Sequence, residues 1–258
     1  GYSDTSTFRQ ELKKLAAKGE LTGDTMAYAA ATRPLEELYD TQVDPFQLHN
    51  LAHGDEHRTV LETMRCELRR WQLETRDAGF YTEAQWWNLI KDKDNPWDIA
   101  HDEKRYPLER LLEVAGTVGR SDQATRQREW LKDDNDGVRY WAAIGLHARK
   151  HLEETEREAL RQALNDSSMT VRIESAAALC AHGDAGIALP VLTTALHNDS
   201  LDVVLHAARV LELLGTIAKD AYPHMKARLE LARKEEASSK SNHLSMFIRF
   251  SLDAALTP

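Results

Sequence analysis

His49, His53 and His57 recur every four residues, and on one continuous helix three imidazoles so spaced would form a stripe able to ligate a transition metal. The stretch between them carries Asn50, Leu51, Ala52 and Gly54, where a helix is only starting, so the stripe is expected to break. His147 and His151 share this spacing and close a helix, where a cation suits the carbonyl-rich end. The run DDNDG at residues 133–137 resembles a calcium loop. With Gly137 at the glycine position, however, the two end ligands fall on Lys132 and Ala143, which supply none. Turn formation and helix capping explain its Asn and Asp better. Trp86, Trp87, Trp97, Trp130 and Trp141 offer enough aromatic surface for a sugar platform, yet their spacing suits core packing. The chain contains no Gly-x-Ser-x-Gly, no glycine-rich phosphate loop and no His-Glu-x-x-His. Its Glu and Asp pairs read as solvated helix faces.

Composition narrows the partners. The 258 residues carry 42 acidic against 33 basic side chains, a formal charge of −9 that repels a phosphate backbone and excludes nucleic acid as the expected partner. Two cysteines, Cys66 and Cys180, write neither a disulfide framework nor a zinc knuckle. No apolar run is long enough for a membrane span, and the opening GYSDTSTFRQELKK lacks the apolar core of a signal peptide. The absent initial Met suggests a processed or excised segment, with any export signal upstream.

The elements that must position these residues follow from hydrophobic spacing. Phe8, Leu12, Leu15 and Ala16 predict a helix over residues 7–18 that stops at Gly19. The stretch RPLEELYDTQVDPFQLHNLA, residues 33–52, reads as a short extended segment with turn chemistry at Asp44 and Pro45. Leu61, Met64, Leu68 and Trp71 predict a long amphipathic helix over about residues 55–76, with Gly79 as its stop. Thr82 and Gln85 form a capping-box pattern ahead of a short helix bearing Trp86, Trp87, Leu89 and Ile90. The charged run KDKDNPWD, residues 91–98, marks the expected boundary between a segment 1–95 and a segment 96–258.

Beyond that boundary the sequence repeats. LKDDNDGVRYWAAIGL from Leu131, LNDSSMTVRIESAAAL from Leu164 and LHNDSLDVVLHAARVL from Leu196 start 33 and 32 residues apart. Equivalent positions hold Leu131, Leu164 and Leu196, then Val138, Val171 and Val203. They continue with Ala143, Ala176 and Ala208, then Leu146, Leu179 and Leu211. Each unit reads as a helix, a polar turn and a second helix whose alanines allow close packing. The stretch GDAGIALPVLTTAL supplies the return helix after the second unit, with Pro190 expected in its first turn. YPLERLLEVAGTVG from Tyr106 looks like the end of an earlier unit, and helices after Ala218 and over residues 243–256 would cap the stack.

This pattern resembles the HEAT family of α-solenoids, including the Asp-containing turn followed by Val138-Arg139 and Val171-Arg172. Val204 replaces the arginine in the third unit. The expected fold class is all-α: a HEAT-like α-solenoid over about residues 104–258, preceded by a short irregular or extended segment and a long helix. The resemblance speaks for architecture, since such arrays serve many partners.

Residues 33–52 carry a second resemblance. Glu37, Leu38, Tyr39, Asp40, then Asp44 and Pro45, then Asn50, Leu51 and Ala52 are similar to the recurring ending of bacterial sulfatases of the alkaline-phosphatase superfamily. The following helix and ETRDAGF, residues 74–80, also look like sulfatase tails, some of which continue into HEAT repeats. The family hydrolyses sulfate esters with a formylglycine made within Cys/Ser-x-Pro-x-Arg, beside a calcium site. The nearest match here, Cys66-Glu67-Leu68-Arg69-Arg70, has Leu68 in the proline's place and lies inside a predicted helix, so it is rejected. What the resemblance implies is a non-catalytic C-terminal region without cofactor, calcium being expected only in a catalytic domain ahead of it. It would serve as a scaffold or interaction module for that domain or another protein, with a homo-oligomer possible and a periplasmic or secreted location. The alternative is an independent HEAT-repeat interaction module. Some apolar residues of this segment, which holds Leu35, Leu38, Tyr39 and Phe46, are then expected to have lost their partner, with residues 20–52 poorly ordered or paired with another chain and an exposed docking patch around Tyr39.

Overall fold

A computed structural model describes residues 6–30, 32–90, 94–238 and 243–257, and among these every regular element is helical. Two compact units are present, residues 2–75 and residues 76–258.

The first unit contains α1 (Thr7–Lys18), α2 (Asp24–Tyr28) and α3 (Arg58–Thr75). The Ser6 hydroxyl caps α1 by accepting from the Arg9 N–H, and Gly19 ends it at φ +70°, a left-handed conformation that glycine adopts without a Cβ penalty. Residues 33–52 form no strand. Between the two arms a single main-chain bond runs from the Leu51 N–H to the Leu38 carbonyl at 2.8 Å, and side chains supply the remaining bonds described below. A 3-10 turn, Asp55–His57, leads into α3, so His49 and His53 precede the helix and the imidazole stripe does not form. Of the α3 residues only Leu61 is buried; Val60, Met64, Leu68 and Trp71 stay more than half exposed.

The second unit opens at Arg76, which holds φ +53° where a glycine would be usual. Its guanidinium repays this by donating to the Ala100 carbonyl at 2.6 Å and the Tyr106 carbonyl at 3.1 Å. The unit continues through α4 (Glu83–Leu89), α5 (Pro96–Ala100), α6 (Leu108–Ala115), α7 (Ala124–Trp130), α8 (Asp136–His147), α9 (Glu154–Ala163) and α10 (Met169–Ala181). It ends with α11 (Ala185–Ala195), α12 (Leu201–Leu214), α13 (Tyr222–Glu236) and α14 (His243–Leu256). The Thr82 and Gln85 capping box is formed at the start of α4. Because Arg76, Tyr81 and Tyr106 are bonded into one block, this unit begins well before the charged run at 91–98, of which residues 91–93 lie outside the described residues.

Packing follows the repeat. The second helices stack in series, α6 on α8, α8 on α10, α10 on α12 and α12 on α14, while α7, α9, α11 and α13 each pack on the helix that follows them. The result is a solenoid-like array. Ala143, Ala176 and Ala208 are fully buried in α8, α10 and α12, as are Leu146, Leu179 and Leu211. The alanines let neighbouring backbones approach, and the leucines fill the layer between them; truncating one such leucine costs about 2–5 kcal/mol. One expectation fails locally. Pro190 sits in the middle of α11 rather than its first turn, because the helix already starts at Ala185. The proline is exposed there, as is Gly186, the residue whose carbonyl its ring leaves without a helix partner.

Candidate functional site

In the first unit, the polar residues of the 33–52 stretch act on its own backbone. The Asn50 side chain bridges both arms: its Oδ1 accepts the Leu38 N–H and the Ala52 N–H at 2.9 Å each, and its Nδ2 donates to the Glu36 carbonyl at 3.0 Å. Asp40 starts the turn by accepting the Gln42 N–H at 3.0 Å on its side chain, while its carbonyl accepts the Asp44 N–H at 2.8 Å. Asp44 closes the turn, its Oδ2 accepting the Leu48 and His49 N–H groups at 2.8 and 2.9 Å. Those donors, His49 first, hold the Asp44 carboxyl below the usual carboxylate range. Pro45 follows exposed on the turn. Glu37 receives a forked pair of bonds from Arg33 at 2.9 and 2.8 Å, and Glu36 is gripped by Arg65 of α3. Tyr39 is half-buried, and its hydroxyl is pushed above its ordinary range by partial desolvation and then by the Glu37 charge.

The structure therefore brings all nine motif residues into one fastened loop, with Leu51 and Ala52 half-buried at its base. Asp40 Oδ1 and Asp44 Oδ2 are engaged by main-chain N–H groups of the loop. No three His, Cys, Asp or Glu side chains converge to hold a metal among the described residues. The loop also presents apolar side chains outward: Leu35 is 66% exposed, and Val43 and Phe46 are 81% exposed. Cys66 lies exposed on α3. Cys180, in the second unit, is buried, and burial pushes its thiol up to about 12, which leaves it inert at neutral pH.

The tryptophans of the second unit divide by role. Trp86 stacks on Tyr106 and donates its indole N–H to the Ala78 carbonyl at 3.1 Å, while Trp141 meets Phe80 and donates to the Phe80 carbonyl at 2.8 Å. Tyr81 fills the centre, edge-on to Tyr106 at 4.7 Å, and donates its hydroxyl to the Arg105 carbonyl at 2.7 Å. Trp130 lies under the Arg126 guanidinium. Trp87 and Trp97 are exposed on separate helices, with Trp97 stacked on His101.

Two polar systems cross the repeats. Arg139 of α8 reaches the next unit and forks onto Asp166 at 2.7 and 2.8 Å, also donating to the Asp133 carbonyl at 2.8 Å. The turns themselves are built alike: Asp133, Asp166 and Asn198 each accept the N–H two residues on. The second system was hidden from sequence reasoning. Glu174 of α10 is buried, His206 of α12 stands 2.6 Å from its Oε1, and His147 of α8 stands 3.7 Å from its Oε2. Only the repeat register, which puts Glu174 and His206 at equivalent positions, carried a signal for it.

No family model matches the chain. An ulvan-active sulfatase from Formosa agariphila is 33% identical over 103 residues, which is 40% of this chain and 17% of that enzyme. This similarity links part of the chain to sulfatases, and the chain spans less than a fifth of the relative it matches.

Proposed function

We propose that the chain is the non-catalytic C-terminal region of a sulfatase-like sulfuric ester hydrolase. Its first unit would dock on the catalytic domain, and its second, read as a HEAT-type array, would act as scaffold. The observation that carries this reading is the fastened loop: the motif shared with sulfatase endings spends its polar groups on its own backbone while turning Leu35, Val43 and Phe46 to solvent. A loop built to hold its shape and present apolar side chains suits docking rather than chemistry. The similarity to the ulvan-active sulfatase supports the choice of partner. Any calcium would then belong to the catalytic domain, and a periplasmic or secreted location would follow from the parent enzyme.

The test is co-purification. Coding sequence upstream of Gly1 should contain Cys/Ser-x-Pro-x-Arg, and the domain bearing it, produced separately, should bind this chain. Phe46→Asp should weaken that binding at least tenfold, roughly 1.4 kcal/mol, as expected for an apolar anchor. The chain alone should not turn over an aryl sulfate; turnover abolished by Cys66→Ala would sink the proposal, as would equal binding by Phe46→Asp. A second reading, an independent helical-repeat interaction module, is favoured by the self-contained packing of residues 76–258, and absence of the upstream motif would select it.

A further inference from the structure

We propose that His147, Glu174 and His206 form an acid-tightened brace across three successive repeats of the array. The three residues sit on α8, α10 and α12, the helices that stack in series, so Glu174 is the middle member of a link spanning both inter-repeat seams. Its two oxygens are shared out, Oε1 to His206 Nε2 at 2.6 Å and Oε2 toward His147 Nδ1 at 3.7 Å. Glu174 is buried, and the side chains of His206 and His147 are 18% and 36% exposed, so the pairs are partly shielded from solvent while the imidazoles remain open to proton exchange.

The surroundings decide which group changes charge. From α8, Tyr140 faces the cluster, its ring edge-on to His206 at 6.1 Å; burial pushes its hydroxyl upward, so it stays neutral. From the end of α10, His182 places Nε2 3.5 Å from the His147 carbonyl oxygen, and burial lowers its basicity, so it adds little competing charge. From α9, Arg157 is held by the His182 carbonyl and by Asp184. Against the cost of burial, the His147 and His206 hydrogen bonds hold the Glu174 carboxyl down at about 2, so the anion is present throughout the neutral range. The imidazoles are then the variable members. Neutral rings leave a buried carboxylate with one ordinary hydrogen bond, whereas protonated rings place it between two cations with a charge-assisted bond. A protonated ring adds positive charge beside the buried carboxylate, so the brace is tighter in acid than in base.

A double-mutant cycle on the full chain reads this directly, with Glu174→Gln, His206→Gln and the pair measured by denaturant unfolding at pH 5.5 and pH 8. The expected coupling in the unfolding equilibrium constant is about tenfold at pH 5.5 and about twofold at pH 8. Equal coupling at the two pH values, or stronger coupling at pH 8, overturns the proposal. Should Glu174→Gln fail to fold, His206→Gln and His147→Gln are each compared with the wild type over the same pH range. The wild-type advantage must widen toward pH 5.5, and a constant advantage refutes the brace.

Discussion

Asp166→Asn tests whether the arginine fork between units is a principal tie of the array. The substitution keeps an amide oxygen to accept the Ser168 N–H, which Asp166 now holds at 2.7 Å, so the turn survives. What it removes is the carboxylate under Arg139. Both side chains are about 10% exposed, and two bonds of 2.7 and 2.8 Å to a carboxylate are replaced by one bond to an uncharged amide oxygen and one opposed pair of donors. Stripping one member from a buried ion pair costs about 3–5 kcal/mol, but Arg139 keeps the Asp133 and Asp134 carbonyls, which reduces the loss to about 2–3 kcal/mol. For a unit of this length each kcal/mol moves the midpoint by about 2–4 °C, so a drop of about 5–10 °C is expected. Thermal unfolding of the full chain at pH 7, followed by circular dichroism, measures it. Glu230→Gln, which breaks the exposed pair with Arg233, is the control and should cost less than about 0.5 kcal/mol. If the two variants melt together, the fork contributes no more than a surface ion pair and the reasoning is wrong.

Asn198→Asp extends the same argument in the opposite direction. Arg172 occupies the position of Arg139 one unit later, yet its Nε is buried without a partner where the following turn offers Asn198, so a carboxylate there should raise stability by about 1 kcal/mol; a destabilised variant refutes the register. Gly137→Ala should destabilise despite a gain of about 1 kcal/mol in helix propensity, because the new Cβ would lie 2.1 Å from Tyr81 Cε1 inside the aromatic block. A net loss of about 2 kcal/mol in denaturant unfolding is expected, and a neutral result would show that Tyr81 yields. Because the folded-state acidity of Glu174 is pulled from the usual carboxylate range to about 2, its contribution is present above about pH 4.5 and is lost as pH falls toward 2. Wild type should therefore lose on the order of 3 kcal/mol more than Glu174→Gln over that interval, as read from urea midpoints.

The array was legible because apolar residues at equivalent positions of its units are buried alike. Val138, Val171 and Val203 are buried at the same place in three units, and that shared environment is what makes a period visible. The tail motif was legible as a pattern but not as a structure. Asp44 and Pro45 suggested a turn, yet alternation at Leu38 read as an extended piece, and only the structure shows Asn50 holding both arms through its amide. Side-chain to main-chain bonds between residues twelve or more apart leave no periodic trace. Pro190 misled for a related reason: propensity favours the first turn, but the proline lies inside the helix on an exposed face, with Gly186 exposed one turn before it.

The polar positions of the repeat obey a different rule from the apolar ones. Trp141, Glu174 and His206 stand at one equivalent position in three consecutive units, and no residue type recurs there. Each answers to what faces it: Trp141 is taken up by Phe80 of the aromatic block, Glu174 meets His206 across the seam, and His206 in turn meets Glu174 and the Tyr140 ring. The arginine position also varies, with Arg139 matched to Asp166 while the Nε of Arg172 is buried without a partner among the described residues and the third unit abandons the charge for Val204. A stack of similar units repeats the residues that fill its layers and varies those that choose a neighbour, because a charge repeated at every seam would meet its own kind. The order of the units is thus written in their polar residues, so exchanging the second and third units should leave the apolar layers intact while separating Arg139 from Asp166.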